Sequence, residues 1–273
     1  MRFSISNIAW KAEWDKEVYC KLTEIGFSAI EIAPLRTLIN GYDSSVEDYE
    51  SWLKTYNVYF KEIASMQSLL FGLDIQLFES IENVNFVLDI LRKGLVFASR
   101  LNVKTLVFGS PTIRNVNSNQ EFENSKIFFK QIADLAQPCG IQIALEPNPT
   151  IYHTNFINTT LDALEYVKMI NHPNFGINLD LGTIIENNET IHDIIDEECV
   201  QWIKHVHISE PYLIPIKTDH FEYHVQLLKS LSAVGYDKYV SIEMKSGLEL
   251  QELFELLEYV KEKGIEAGIL YEK

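Results

Sequence analysis

The chain has 273 residues, 47% of them hydrophobic, and a formal net charge of −16 from 39 acidic and 23 basic side chains. The hydrophobic share is ample for a large buried core. The acidic charge repels nucleic acid and anionic membrane surfaces, so we expect neither as a partner.

Short apolar runs alternate with longer amphipathic stretches along the whole chain. The runs predict eight strands: Phe3–Ile8, Ala29–Ile32, Glu62–Ser65, Thr105–Phe108, Gln142–Leu145, Phe175–Leu179, His205–Ile208 and Tyr239–Ile242. Helical periodicity is clearest over Ile81–Arg100, Glu121–Gln137 and Leu248–Lys263. Eight strands alternating with eight helices predict an α/β fold, a single (β/α)8 TIM barrel. Its usual size predicts one domain across residues 1–273.

The cellular location is predicted from two absences in the sequence. The sequence contains no run of about 18 apolar residues, so it predicts no transmembrane helix. The first residues form a strand-like run without the charged start, apolar stretch and cleavage site of a signal peptide. We therefore expect a cytoplasmic protein.

Four residues of ligand type close the last four predicted strands. Glu146, Asp180, His207 and Glu243 are separated by gaps of 34, 27 and 36 residues, each about one strand-plus-helix unit. Residues at the carboxyl ends of barrel strands point into one shared mouth. We therefore expect these four side chains to converge.

Three carboxylates in one mouth repel one another, and a bound divalent ion removes that penalty. One imidazole and three carboxylates suit Mn²⁺, Mg²⁺ or Co²⁺ better than a thiol-preferring metal. The sequence therefore predicts one divalent metal ion, Mn²⁺ first, with Mg²⁺, Co²⁺ or Zn²⁺ as alternatives. A single carboxylate that ends a strand is equally often a helix cap or an ion-pair partner, so the prediction depends on the whole set.

The ordered set of strand-end residues resembles the xylose isomerase-like TIM barrel superfamily of sugar phosphate isomerases and epimerases. The resemblance covers essentially the whole chain. It extends to Gly235-Tyr236 before the last strand and to the run that ends in Glu243. The resemblance implies that Glu146, Asp180, His207 and Glu243 bind one Mn²⁺-type ion.

The resemblance also implies a reaction on a sugar or sugar phosphate. Proton transfer next to a carbonyl would pass through an enediolate-like intermediate that the metal stabilises. Glu146 and Glu243 would be the catalytic pair, one removing a proton from one face and the other delivering a proton to the opposite face. Which residue is the acid depends on the stereochemistry of the substrate.

The chain departs from the resembling family at two places. Many relatives carry a His three residues after the strand-six Asp, where this chain has Thr183. The ketose 3-epimerases use an Arg six residues after the strand-seven His, where this chain has Leu213. The predicted metal ligands are therefore retained, while contacts to the substrate differ.

Other loop residues are candidates for substrate binding. Glu210 follows strand seven, Lys217 lies on the long loop after it, and Asn148 and His153 lie on the loop after Glu146. Each is also interpretable as an ordinary loop residue.

Three more residues have two interpretations each. Arg114 follows a Gly-Ser-Pro turn that could place it on a phosphate or carboxylate, or that could be a simple turn. His220, like Lys217, could replace the missing Arg or be solvated. Glu31 belongs either to the pocket or to an ion pair at the barrel rim.

Two alternative functions stay open. An inosose-type dehydratase or lyase would share the metal ligands and the proton abstraction. A catalytically inactive sugar-binding barrel is the second alternative, favoured by Thr183 and Leu213. The apurinic-site endonucleases of the same fold need further His ligands that this chain lacks at Thr183 and after His207. The expected partner is a small sugar or sugar phosphate, and a homodimer is plausible.

Overall fold

The computed structural model describes residues 1–216, 220–266 and 268. It contains eight strands: β1 (Arg2–Ile5), β2 (Ala29–Ile32), β3 (Glu62–Met66), β4 (Thr105–Phe108), β5 (Gln142–Leu145), β6 (Phe175–Asp180), β7 (Ile203–Ser209) and β8 (Tyr239–Glu243). The helices between and after them are α1 (Asp15–Ile25), α2 (Pro34–Thr37), α3 (Val46–Tyr56), α4 (Ile81–Arg100), α5 (Asn119–Ala136), α6 (Thr160–Ile170), α7 (Leu181–Glu186), α8 (Ile191–Ile194), α9 (Phe221–Ala233) and α10 (Leu250–Glu266).

The strands form one parallel sheet that curls into a barrel. Their order is β1-β8-β7-β6-β5-β4-β3-β2, and a single parallel bridge from Ser6 to Glu31 joins the two outer strands. This arrangement confirms the predicted (β/α)8 TIM barrel. All eight carboxyl ends therefore lie on one face, which we call the upper face, and all amino ends lie on the lower face.

Helix boundaries follow local sequence signals. Helix α4 begins after Ser80, whose hydroxyl accepts a hydrogen bond from the Asn83 amide, and it buries an apolar stripe against the barrel. Helices α3 and α6 begin with capping boxes, at Ser45 and Thr159 respectively. None of the helices in the described part of the chain has the length and apolarity needed to cross a bilayer.

The first strand is shorter than the predicted Phe3–Ile8. It ends at Ile5 because Asn7 begins a short 3-10 turn. The Asn7 side chain accepts a hydrogen bond from the Ala33 amide at 2.9 Å and donates one to the Thr37 hydroxyl at 3.1 Å. These two hydrogen bonds connect the loop after β1 to the loop after β2, and the chain leaves the sheet at Asn7.

Candidate metal centre

The structure brings together the four residues at or near the carboxyl ends of the last four strands. Glu146 directly follows β5, Asp180 ends β6, His207 lies in β7 and Glu243 ends β8. Parallel register places Asp180 beside His207. All four side chains are buried, and one donor atom from each lies within 4.8 Å of the others. We call these residues the ligand cluster.

His207 is the centre of the ligand cluster. Its Nδ1 atom lies 3.1 Å from Glu146 Oε1 and 3.2 Å from Glu243 Oε2. Its Nε2 atom lies 3.0 Å from Glu31 Oε2 on the opposite side of the ring. Since a carboxylate only accepts, Nε2–H donates to Glu31, and Nδ1 donates to the carboxylates of the cluster while no ion is bound; a bound ion would take the place of the Nδ1 proton. The ring is thereby oriented as metal-ligating histidines are.

Glu31 lies inside the barrel below the ligand cluster and is fully buried. Its Oε2 atom accepts a hydrogen bond from Ser65 at 2.6 Å and lies 3.2 Å from His205 Nε2. Burial raises the pKa of Glu31, but the charges and hydrogen bonds of His207 and His205 lower it more, well below its usual range. The sequence left Glu31 either in the pocket or in an ion pair at the barrel rim. In the structure it lies in the barrel interior, where it accepts a hydrogen bond from His207.

Neutral donors hold two of the carboxylates. Asn178 Nδ2 donates to Glu146 Oε1 at 2.9 Å. Ser209 Oγ donates to Asp180 Oδ2 at 2.5 Å, and the Thr183 amide donates to Asp180 Oδ1 at 2.7 Å. Such partners fix the orientation of metal-binding carboxylates. Sequence reasoning missed Asn178 and Ser209, although their positions two residues from Asp180 and His207 place them on the same strand faces.

The electrostatics of the ligand cluster favour a cation. Burial and the Glu146 charge raise the pKa of Asp180 to about 6. Burial raises the pKa of Glu243 to about 7, against the opposing effect of His207. Burial lowers the pKa of His207, but Glu31 and Glu243 raise it well above its ordinary range. The donors are three carboxylates and one imidazole, a set that fits a divalent ion such as Mn²⁺ or Mg²⁺.

A cavity of about 690 Å³, the upper cavity, lies above the ligand cluster. Its volume is typical of small-molecule sites. Glu146, Asp180 and Glu243 reach its wall. The wall also includes both polar and apolar residues from the loops of the upper face: Gln67, Phe71, Leu73, Asp74, Ile113, Asn148, Tyr152, Leu213 and Lys245. Lys245 was not predicted, although it lies only two residues after Glu243.

Arg114 lies behind the cavity wall, not in it. Its guanidinium is fully buried, and Nη2 donates to Asn148 Oδ1 at 3.0 Å. Asn148 Nδ2 in turn donates to Glu146 Oε2 at 3.1 Å. Arg114 Nε and Nη1 have no hydrogen-bond partner among the described residues. Arg114 is therefore connected to Glu146 through Asn148, and its contact with a substrate anion stays a prediction.

The other predicted substrate-binding residues lie in different environments. Asn148 lines the upper cavity. His153 is exposed, with a left-handed backbone φ of 61°, and lies outside the described cavity wall. Glu210 is fully buried and is also absent from the described wall; its Oε2 atom lies 2.5 Å from His220 Nδ1 and its Oε1 atom lies 3.6 Å from His224 Nε2. Lys217 lies outside the described residues.

The two departures from the resembling family have distinct structural roles. Thr183 is buried, and its hydroxyl donates to the Pro147 carbonyl at 2.9 Å. It therefore ties the β5 loop to the start of α7. Leu213 lines the upper cavity with an apolar side chain. The wall is less polar at that position than an Arg would make it.

Comparison with known proteins identifies the family. The chain belongs to the xylose isomerase-like TIM barrel family, whose family model matches residues 21–265. A ketose 3-epimerase from Arthrobacter globiformis is 34% identical over 121 residues, a match that spans 44% of this chain and 40% of that protein. The match thus covers less than half the length of this curated relative.

Solved structures share the fold over nearly the whole chain. The 3-keto-D-glucoside 4-epimerase from E. coli has a TM-score of 0.77 at 18% identity, covering 96% of this chain and 99% of that one. The D-allulose 3-epimerase from Methylomonas sp. has a TM-score of 0.71 at 19% identity, covering 96% and 98% respectively. At these identities the likeness establishes the barrel architecture.

Proposed function

We propose that this protein is a divalent-metal-dependent carbohydrate epimerase or isomerase that acts on a sugar or sugar phosphate. The observation that carries the proposal is the ligand cluster, four buried donors at the floor of a cavity of small-molecule size. The family membership and the sequence match to a ketose 3-epimerase support the same class. Mn²⁺ is the proposed ion because the donors are one nitrogen and carboxylate oxygens.

Glu146 and Glu243 are the proposed catalytic carboxylates. They extend from β5 and β8, which lie three places apart in the sheet, and both contact His207 Nδ1. A bound divalent ion would supply Lewis acidity toward the carbonyl and hydroxyl oxygens of the sugar. One carboxylate takes the proton from the carbon next to the carbonyl. The C–H electron pair becomes a C=C bond and the carbonyl π electrons move onto oxygen, which gives an enediolate. The other carboxylate delivers a proton to the opposite face.

The two carboxylates differ in basicity before any ion binds. Burial raises the pKa of Glu243. Burial also raises the pKa of Glu146, but hydrogen bonds from His207 and Asn148 and the Arg114 charge lower it below its ordinary range. Two titratable groups in unlike environments suit a reaction in which one accepts and the other donates a proton.

Ketoses are the first substrates to test, because the curated relative is named a ketose 3-epimerase. Leu213 lines the upper cavity at the position where the ketose 3-epimerases use an Arg, so we expect selectivity among ketoses to differ from those enzymes. The inosose-type dehydratase and the inactive sugar-binding barrel stay alternative predictions, and the apolar Leu213 in the wall of the upper cavity is the feature that favours the second. The cytoplasmic location, the homodimer and the lack of nucleic-acid or membrane partners stay predictions.

The proposal is tested by proton exchange. The Mn²⁺-loaded protein is incubated in D₂O with D-fructose, D-tagatose and their phosphates, and NMR follows epimer formation and deuterium uptake next to the carbonyl. We expect exchange in the wild type and a loss of about a thousandfold or more in Glu146→Gln and Glu243→Gln. Retained exchange in either variant would reject the two-carboxylate mechanism, and no exchange with any ketose by metal-loaded protein would reject the ketose assignment.

A further inference from the structure

A second cavity lies at the lower face of the barrel, opposite the ligand cluster. This lower cavity has a volume of about 440 Å³, within the range of small-ligand sites. Its wall includes the first residues of five strands: Arg2, Glu62, Thr105, Gln142 and Tyr239. The proposed reaction uses none of them, so their arrangement calls for a separate explanation.

The lower cavity concentrates positive charge in a strongly acidic protein. Arg2, Lys104, Lys204 and Lys238 line it, and Glu62 is the one acidic side chain among the described lining residues. The Glu62 carboxylate is already bound by Arg2 Nη1 at 2.6 Å and by the Tyr239 hydroxyl at 3.0 Å. Three lysines therefore remain without a carboxylate of the cavity wall to balance them. Concave cationic surfaces attract anions more strongly than flat ones.

Two of the lysines each donate a hydrogen bond to a backbone carbonyl. Lys204 Nζ donates to the Gln201 carbonyl at 3.1 Å, and Lys238 Nζ donates to the Ile203 carbonyl at 2.8 Å. An ammonium group has three N–H donors, so each lysine keeps two for a ligand. Burial and the Lys238 charge lower the pKa of Lys204 to about 8. Burial lowers the pKa of Lys238, and the Asp237 charge opposes this effect only in part.

Gln142 supplies a further unused group in the same wall. Its Oε1 atom is buried and has no hydrogen-bond donor among the described residues. A buried acceptor without a partner destabilises the folded protein. A rotation of the Gln142 side chain toward the cavity would let this shielded atom accept from a ligand hydroxyl, while the lysines would satisfy an anionic group of the same ligand.

We propose that the lower cavity binds a small organic phosphate, with Lys104, Lys204 and Lys238 on the phosphate group and Gln142 on a ligand hydroxyl. Phosphate is favoured because a compact dianion can accept hydrogen bonds from several ammonium groups at once. The site is separate from the ligand cluster and goes beyond the proposed reaction. Because the upper cavity is also proposed to bind sugar phosphates, variants of lysines that line only the lower cavity distinguish the two sites.

The test is isothermal titration calorimetry of the full-length, metal-loaded protein near neutral pH and at constant ionic strength. The probes are ribose 5-phosphate, inorganic phosphate and ribose. We expect saturable binding of ribose 5-phosphate, weaker binding of inorganic phosphate and none of ribose. Lys204→Met and Lys104→Met should each weaken the binding of ribose 5-phosphate by about tenfold or more, while preserving the aliphatic stem.

Lys229→Met is the matched control, because Lys229 is an exposed lysine on the outer helix α9. It should change the affinity by less than about twofold. Unchanged affinity in both cavity variants would overturn the proposal, as would the absence of saturable binding to the wild type. Equal affinities for the two phosphates would reject the organic part of the ligand. The two single variants remove different lysines, so misfolding of one leaves the other as the test.

Discussion

At the scale of single residues, side chains outside the ligand cluster hold the Glu146 carboxylate in place. Asn178 and Asn148 each donate to one of its oxygens, and Arg114 orients Asn148 from behind. Burying a guanidinium costs several kcal/mol unless its charge is compensated. The Glu146 carboxylate provides that compensation, and it raises the pKa of Arg114 against burial, which lowers it to about 10.

Arg114→Met should therefore impair turnover and leave substrate affinity nearly unchanged. We expect kcat to fall by about ten- to a hundredfold and KM to stay within about twofold, because Arg114 acts through Asn148 and does not line the described upper cavity. Arg114→Lys keeps the charge and should recover part of kcat. Steady-state kinetics measure both constants, and a raised KM with unchanged kcat would restore the substrate-binding role predicted from the sequence.

At the scale of secondary-structure elements, the site depends on the close approach of β4 and β5 at the upper face. Gly109 directly follows β4, and a Cβ atom there would clash with Glu146 Oε2 and approach Asn148 Oδ1 to 3.7 Å. The residue after β4 therefore has to be small for the Glu146 carboxylate to keep its position. A glycine at this point is a requirement of the packing between neighbouring strand ends.

Gly109→Ala should displace the Glu146 carboxylate and weaken Mn²⁺ binding by about tenfold or more. Gly247→Ala is the matched control, because it lies beyond the end of β8 and a Cβ atom there meets nothing within 4 Å. Calorimetric titration with Mn²⁺ measures both variants. Equal affinities would show that the space at Gly109 has no bearing on the site.

Helices with a clear hydrophobic periodicity and residues at strand ends could be predicted from the sequence. The positions of loop side chains could not. The predicted bounds of Ile81–Arg100 match α4 because its apolar period and its N-cap agree. The strand-end rule placed the four ligands because a parallel barrel gathers all carboxyl ends. The direction of a loop side chain depends on backbone turns and distant partners. His153 turns outward in a left-handed conformation, and Glu210 meets His220 and His224 of a later segment.

At the scale of the whole molecule, the buried cluster links stability to pH. The folded-state pKa values of Asp180, about 6, and Glu243, about 7, lie above their ordinary values. The folded chain therefore binds more protons than the unfolded chain in this range, so stability falls as pH rises through both values. His207, with its raised pKa, acts in the same direction at higher pH. Glu146, with a lowered pKa, contributes stability that is lost only at more acidic pH.

The metal-free protein should accordingly show a Tm that falls by several degrees between about pH 5 and about pH 8. Saturating Mn²⁺ should flatten or reverse this slope, because the ion competes with protons for the same donors. Glu243→Gln removes one of the titrating groups and should reduce the metal-free slope. Thermal scans in the presence of a chelator provide the measurement, and a metal-free Tm that rises with pH would contradict this account.

The metal content of the purified protein and its stabilisation by Mn²⁺ show directly whether the ligand cluster holds a metal ion. Asp180→Asn removes one ligand charge but keeps a side chain that can cap α7, and Asp193→Asn makes the same change at an exposed position. We expect about one ion per chain and a concentration-dependent rise in Tm for the wild type and for Asp193→Asn, both lost in Asp180→Asn. Wild-type protein without metal and without stabilisation, or an Asp180→Asn variant that behaves like the wild type, would contradict the assignment of the ligand cluster as a metal site.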